Sequence, residues 1–171
     1  LEFHELAAKY GLNLDPPPLL VTFHPVTLEQ EDTEWHVREL LAALEASQMP
    51  LIITHPNGDT QGRLVARMMR DYADSHANAQ MIDNLGTRDY FSLMACAAAM
   101  VGNSSSGIIE SPSFELPVVN IGTRQKGRIR ARNVIDVGNS QSDIQQGIRM
   151  AINPEFRSKL QSLCNPYGDG K

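Results

Sequence analysis

The chain has 171 residues, enough for one domain or for one half of a two-domain protein. It is 42% hydrophobic and 20% charged, a globular composition that excludes global disorder. With 15 basic and 20 acidic residues its net charge is −5, which disfavours nucleic acid as a partner, and no apolar run reaches the ~18 residues that cross a bilayer.

The first 15 residues read as a short helix, Glu5 to Tyr10, then Gly11 and a polar stretch running into Pro16-Pro17-Pro18. We read residues 1–18 as linker and short helix, more entry segment than core, and residues 19–171 as the domain. Leu19 to Phe23 is the first short apolar run. Five more follow: Leu51 to Thr54, Ala79 to Ile82, Ala98 to Val101, Pro117 to Ile121 and Asn133 to Val137. Continuous runs of this length suit strands buried on both faces, as in a parallel sheet.

The intervals between the runs read as helices. Val37, Leu40, Leu41 and Leu44 follow i, i+3, i+4, i+7, and Val65, Met68, Met69 and Tyr72 repeat that spacing. A further helix over 88–96 carries Cys96 on its apolar face, so burial is its expected place. Ile144, Ile148, Ala151 and Ile152 mark a later helix, with Ser142 or Asp143 as the expected cap. Asn153-Pro154 ends it, and Glu155 to Leu163 reads as one more short helix. Strand and helix in alternation predict an α/β fold, a Rossmann-like parallel sheet of about six strands with helices on both faces. Cys96 and Cys164 form no C-x-x-C pair. That fits a reducing, cytoplasmic compartment and argues against a zinc site.

Ligands of open α/β sheets bind beyond the carboxyl ends of the strands. The residues there are polar and glycine-rich. They include His24-Pro25, His55 to Asp59, Asn84 to Arg88, Gly102 to Gly107 and Gly122 to Arg128. The fourth group is the most specific: Asn103-Ser104-Ser105-Ser106-Gly107 precedes Ile108-Ile109-Glu110 at a predicted helix start. A small-residue turn feeding a helix offers backbone N–H groups and hydroxyls to phosphate. Glu110 is then placed to accept from ribose hydroxyls, or to serve as a dipole-complementing acid in a capped helix. The turn lacks the Gly-Lys-[Ser/Thr] ending of a P-loop and the G-x-G-x-x-G fingerprint. His24, stopped by Pro25 at a strand end, can donate to a diphosphate oxygen or leaving group, or be a buried, bonded histidine. Asp59 reads as a helix cap. Arg124, Lys126 and Arg128 form a basic loop that either contacts ligand or is simply solvated.

Taken in order, His24-Pro25, Pro56-Asn-Gly-Asp59, Gly102 to Gly107 with Glu110, Pro117 to Gln125, Asn133-Val134 and Tyr167-Gly-Asp-Gly170 resemble one family. They are similar to the C-terminal domain of the UDP-N-acetylglucosamine 2-epimerases, nearest the hydrolysing branch of sialic-acid and nonulosonic-acid synthesis. The likeness runs from about Leu19 to the end. It implies one half of a two-domain glycosyltransferase-B type fold, with a UDP-sugar held in the cleft between halves. By resemblance, Ser104, Ser105, Ser106 and the Gly107 turn hold the diphosphate and Glu110 the ribose. His24 lies against the diphosphate or glycosidic oxygen. Leu85 and Phe91 flank the uracil, and Arg128 and Asn133 face the cleft. The implied reaction eliminates UDP to a glycal and adds water to give the 2-epimer. No cofactor or metal is implied beyond the UDP moiety of the substrate. The family's acid and base come mainly from the N-terminal domain. The fragment alone is therefore expected to be inactive, with that domain as its partner in a homo-oligomeric enzyme. Two rivals stay open at this point: the donor-binding domain of a UDP-sugar glycosyltransferase, and a nucleotide-binding module without catalysis.

Overall fold

All six apolar runs form strands in the protein's computed structural model, which describes residues 3–56, 58 and 60–168. The strands are β1 (Leu19–Thr22), β2 (Leu51–Thr54), β3 (Ala79–Ile82), β4 (Ala99–Gly102), β5 (Val118–Ile121) and β6 (Val134–Val137). Every pairing is parallel, in the order β3-β2-β1-β4-β5-β6. The order reverses beside β1, which pairs with β2 on one side and β4 on the other. Crossovers from β1 and β4 therefore leave in opposite directions, and a crevice opens outside their carboxyl ends.

The seven α-helices among the described residues are α1 (Phe3–Tyr10), α2 (Thr33–Ser47), α3 (Thr60–Ser75), α4 (Gly86–Cys96), α5 (Ser106–Ile109), α6 (Gln141–Ala151) and α7 (Pro154–Ser158). No described helix is long and apolar enough to cross a membrane. Because successive side chains of a strand point to opposite faces, each run feeds two cores. Leu19 and Val21 join Val37, Leu40, Leu44, Val65, Met69, Ile144 and Ile148 on the face covered by α2, α3 and α6. Leu20, Ile52, Met100 and Val118 meet Leu6, Leu93 and Met94 on the face covered by α1 and α4.

Several local expectations need correction. The segment before Pro16 is core: Leu6, Leu12 and Leu14 are buried in the second cluster. The Lys9 ammonium donates to Asp89 Oδ2 at 2.5 Å and the Tyr10 hydroxyl donates to the same oxygen at 2.6 Å. These two bonds hold the Asp89 carboxyl below the usual aspartate range and tie α1 to α4. Ser140, rather than Ser142 or Asp143, caps α6 by accepting from the Asp143 N–H at 3.2 Å. Asn153 caps α7, which stops at Ser158 and not at Leu163. Cys96 is half-buried. The cap expected at Asp59 lies outside the described residues.

If α1 is core, Leu6→Ala removes a fully buried side chain and leaves a cavity. We expect a loss of about 2–5 kcal/mol in chemical denaturation. A loss under about 0.5 kcal/mol would return the segment to the status of a linker.

Candidate functional site

At the reversal of strand order lies a cavity of about 490 Å³. Thr22 and Thr54, from the ends of β1 and β2, form its floor, with their hydroxyls 2.6 Å apart. The loop from Asp83 to Leu85 and the first residues of α4, Gly86 and Thr87, make one wall, Tyr90 and Phe91 of α4 another, and Ser104, Ser106 and Glu110 a third. Of the residues expected to bind ligand, the fold brings Leu85, Phe91, Ser104, Ser106 and Glu110 around this one space. Ser105, Gly107, His24, Arg128 and Asn133 are not part of its lining.

The serine turn is tighter than the sequence suggests. The Gly107 N–H bonds to the Ser104 carbonyl, and those of Ile108 and Ile109 bond to the Ser105 carbonyl. The Ser106 N–H donates to Ser104 Oγ at 3.3 Å. Among the described residues nothing accepts from the Ser104 and Ser105 N–H groups, which leaves two backbone donors for an anion. The helix is only four residues long, too short for a substantial dipole. Pro112 follows within a 3-10 turn over Ser111–Phe114, closed by Glu115 at φ 50°. Gly107 is buried against β5, where an added Cβ would lie 3.0 Å from Val118 Cγ1. That close approach explains the glycine.

Glu110 stands at the C-terminal end of α5, not one turn into a long helix. A negative charge there does not complement that helix's dipole, which weakens the capping explanation. Its Oε2 is buried and has no hydrogen-bond partner. An unpaired buried carboxylate oxygen is costly unless something else satisfies it.

Tyr90 is the residue the sequence reading missed. Its phenolic oxygen is also buried without a partner of good geometry. Burial pushes the phenol's pKa up, the surrounding Thr22, Ser106 and Ser104 side chains act against that rise, and the Glu110 charge adds to it. A signal was available: Tyr90 precedes Leu93 and Met94 by three and four residues, so it shares their buried face. A polar-tipped ring on such a face needs a place for its hydroxyl. His55 also lines the cavity. Its Nδ1 lies 2.7 Å from the Pro56 carbonyl, so that nitrogen carries the proton.

His24 sits at the carboxyl end of β1, buried, one hydrogen-bonded step from the serine turn. Asn103 Oδ1 accepts from the His24 N–H at 2.7 Å, and Asn103 Nδ2 donates to the His24 carbonyl at 2.8 Å. Arg128 is exposed in the loop after β5. Asn133 corrects the expectation of a cleft-facing group. It precedes β6, at the amino edge of the sheet, and is fully buried. Its Nδ2 donates to Ser111 Oγ and to the Leu116 carbonyl, so the residue ties the serine segment to the strand beside it.

Tyr90→Phe deletes a buried hydroxyl that lacks a partner of good geometry. Its stability in denaturant is expected to stay level or rise by up to about 1 kcal/mol. A loss greater than that would mean the hydroxyl is satisfied within the protein.

The model of the UDP-N-acetylglucosamine 2-epimerase family matches residues 3–171. A GDP/UDP-N,N'-diacetylbacillosamine 2-epimerase (hydrolyzing) of Campylobacter jejuni is 41% identical over 155 residues, 90% of this chain and 40% of the relative. The UDP-N,N'-diacetylbacillosamine 2-epimerase (hydrolyzing) of Legionella pneumophila is 37% identical over 163 residues, 95% of this chain and 42% of the relative. The chain thus spans about two-fifths of the length of these relatives. Among solved structures, the UDP-GlcNAc 2-epimerase of Neisseria meningitidis bound to UDP-GlcNAc superposes with a TM-score of 0.76 at 19% identity, over 98% of this chain and 45% of that one. The E. coli heptosyltransferase WaaC with ADP gives 0.52 at 16% identity, over 90% and 48%. The fold is one half of the glycosyltransferase-B type, and the chain belongs to the UDP-N-acetylglucosamine 2-epimerase family.

Proposed function

We propose that this chain is the nucleotide-binding half of a hydrolysing UDP-sugar 2-epimerase, and that the cavity at the strand reversal holds UDP. The observation that carries the reading is the unpaired buried Oε2 of Glu110, set in the same cavity wall as Ser104 and Ser106. A nucleoside diphosphate supplies what that wall lacks. Its ribose hydroxyls donate to Glu110, and its phosphate oxygens accept from the free Ser104 and Ser105 N–H groups and the serine hydroxyls. The base then fills the rest of the cavity, between Leu85 and the rings of Tyr90 and Phe91.

In the reaction, a base removes the proton on carbon 2 of the sugar as the bond from carbon 1 to the diphosphate oxygen breaks. UDP departs and a glycal forms. Water then adds its oxygen to carbon 1, and a proton returns to carbon 2 from the other face. The part of this chain is to hold the leaving group. The serine turn stabilises the charge that builds on the diphosphate, and His24 donates a proton to the departing oxygen. The groups that act on carbon 2 belong to the remaining portion of the enzyme. Relatives named for N,N'-diacetylbacillosamine are 41% and 37% identical, against 30% for one named for UDP-N-acetylglucosamine, so we take a UDP-diacetamido sugar as the substrate class.

Titration calorimetry with UDP tests the site. Glu110→Gln keeps the shape and removes a charge-assisted acceptor, a change of roughly 1.5–3 kcal/mol, so affinity should fall at least about tenfold with melting little altered. A variant that binds UDP like the parent while melting lower would overturn the assignment. Turnover provides a separate check. The chain alone should release no UDP from the UDP-sugar, and adding the companion domain in trans should restore release. Robust turnover by the chain alone would refute this division of labour.

A further inference from the structure

β1 and β4 run in register as far as Thr22 opposite Gly102. Gly102 has φ 144°, and a Cβ on it would lie 1.9 Å from the Thr22 carbonyl oxygen. Only glycine fits there. Immediately beyond it a side chain takes over the pairing. The side-chain amide of Asn103 mimics a peptide group: its oxygen accepts from the His24 N–H and one of its two N–H groups donates to the His24 carbonyl. The Asn103 N–H continues to the Thr22 carbonyl at 3.1 Å. Its own carbonyl is held from the far side, by Gln125 Nε2 at 2.9 Å and Arg124 Nη1 at 3.1 Å. The residue is 1% exposed, so no water competes for these bonds.

From this geometry we infer that Asn103 is a positioning residue. It locks the His24 backbone to the serine turn and to the loop after β5, so that the histidine and the diphosphate-binding turn meet the ligand as one rigid unit. The inference rests on the UDP-binding reading. Asn103 itself does not line the cavity and acts through His24 and Ser104. Rigid placement matters because a donor already in place loses little freedom when the ligand arrives.

A double-mutant cycle on the full chain tests this, read by calorimetry with UDP. Asn103→Ala and His24→Ala are each expected to weaken UDP by about tenfold. Together they should cost little more than either alone, because a histidine released from its clamp no longer contributes. Leu6→Ala serves as the control. It destabilises the fold from α1, outside the bonds that join Asn103 to His24, and should combine additively with His24→Ala. A fully additive Asn103/His24 pair, or an Asn103→Ala protein that binds UDP normally, would sink the proposal. If Asn103→Ala does not fold, Asn103→Asp retains the acceptor for the His24 N–H and loses the donor to its carbonyl. It should show a smaller loss with the same sub-additivity. Amide hydrogen exchange at His24 separates this idea from the functional reading. Exchange should speed up at least about tenfold in Asn103→Ala whether or not UDP binds. Unchanged exchange removes the clamp. Wild-type protein that fails to bind UDP, with His24 exchange still dependent on Asn103, removes the UDP reading alone.

Discussion

The reversal of strand order beside β1 is the constraint on which the site depends. In an all-parallel sheet every connection returns over one face or the other, and both faces must be covered. Where the direction of winding changes, two crossovers part, and the strand ends between them stay uncovered by helix. Thr22, His24, Asn103 and the serine turn all lie at this point. Their polar character follows from it. Backbone and side-chain groups at an uncovered edge must pair with one another, with water or with a ligand. The Thr22–Thr54 pair and the Asn103 amide are the pairs made internally. Among the residues that line the cavity, Glu110 and Tyr90 are the ones left with an unpaired buried atom.

That division explains how the edge is held together. Arg130 bonds to Asp136 and to the carbonyls of Arg128 and Gln125, while Asn120 also reaches Asp136. These contacts brace the loop after β5 from beneath. Burial lowers the pKa of Arg124, and the nearby Arg128 charge lowers it further. A second positive charge next to a half-buried guanidinium is tolerated in a chain whose net charge is −5. The serine turn has a different physical basis. A four-residue helix contributes little field, so what the turn offers is discrete donors at fixed positions. Binding through such donors would select by geometry more than by charge, and salt that screens long-range fields over ~8 Å would disturb it little.

The sheet was legible because each strand is a continuous apolar run bounded by turn residues, and the alternation of strands and helices left one reasonable architecture. Boundaries moved by a residue or two, as at Ala98 and Phe23. The misreadings share a cause: the information lay in contacts between residues distant in sequence. Leu6, Leu12 and Leu14 have no helical or strand period, and the three prolines after them look like a linker, so only the packing against Leu93 and Met94 shows them to be core. The helix expected to run on past Glu110 stops because Pro112 and the left-handed Glu115 end it. Asn133 entered the site through resemblance, although its place before a strand already put it at the opposite edge. Tyr90 is harder to single out than its neighbour Phe91, because its role depends on a hydroxyl whose burial the sequence does not show. The cavity holds both.

The position of α1 has a consequence for how such a domain is inherited. Composition suggests a boundary at Pro16-Pro17-Pro18, where a linker would ordinarily be cut and rejoined. A module divided there would carry its sheet intact but leave Leu20, Ile52 and Met100 facing water on the side that Leu6 now covers. Any exchange of this half between enzymes must therefore bring the upstream helix with it. The packed unit includes a helix that starts 16 residues before the first strand.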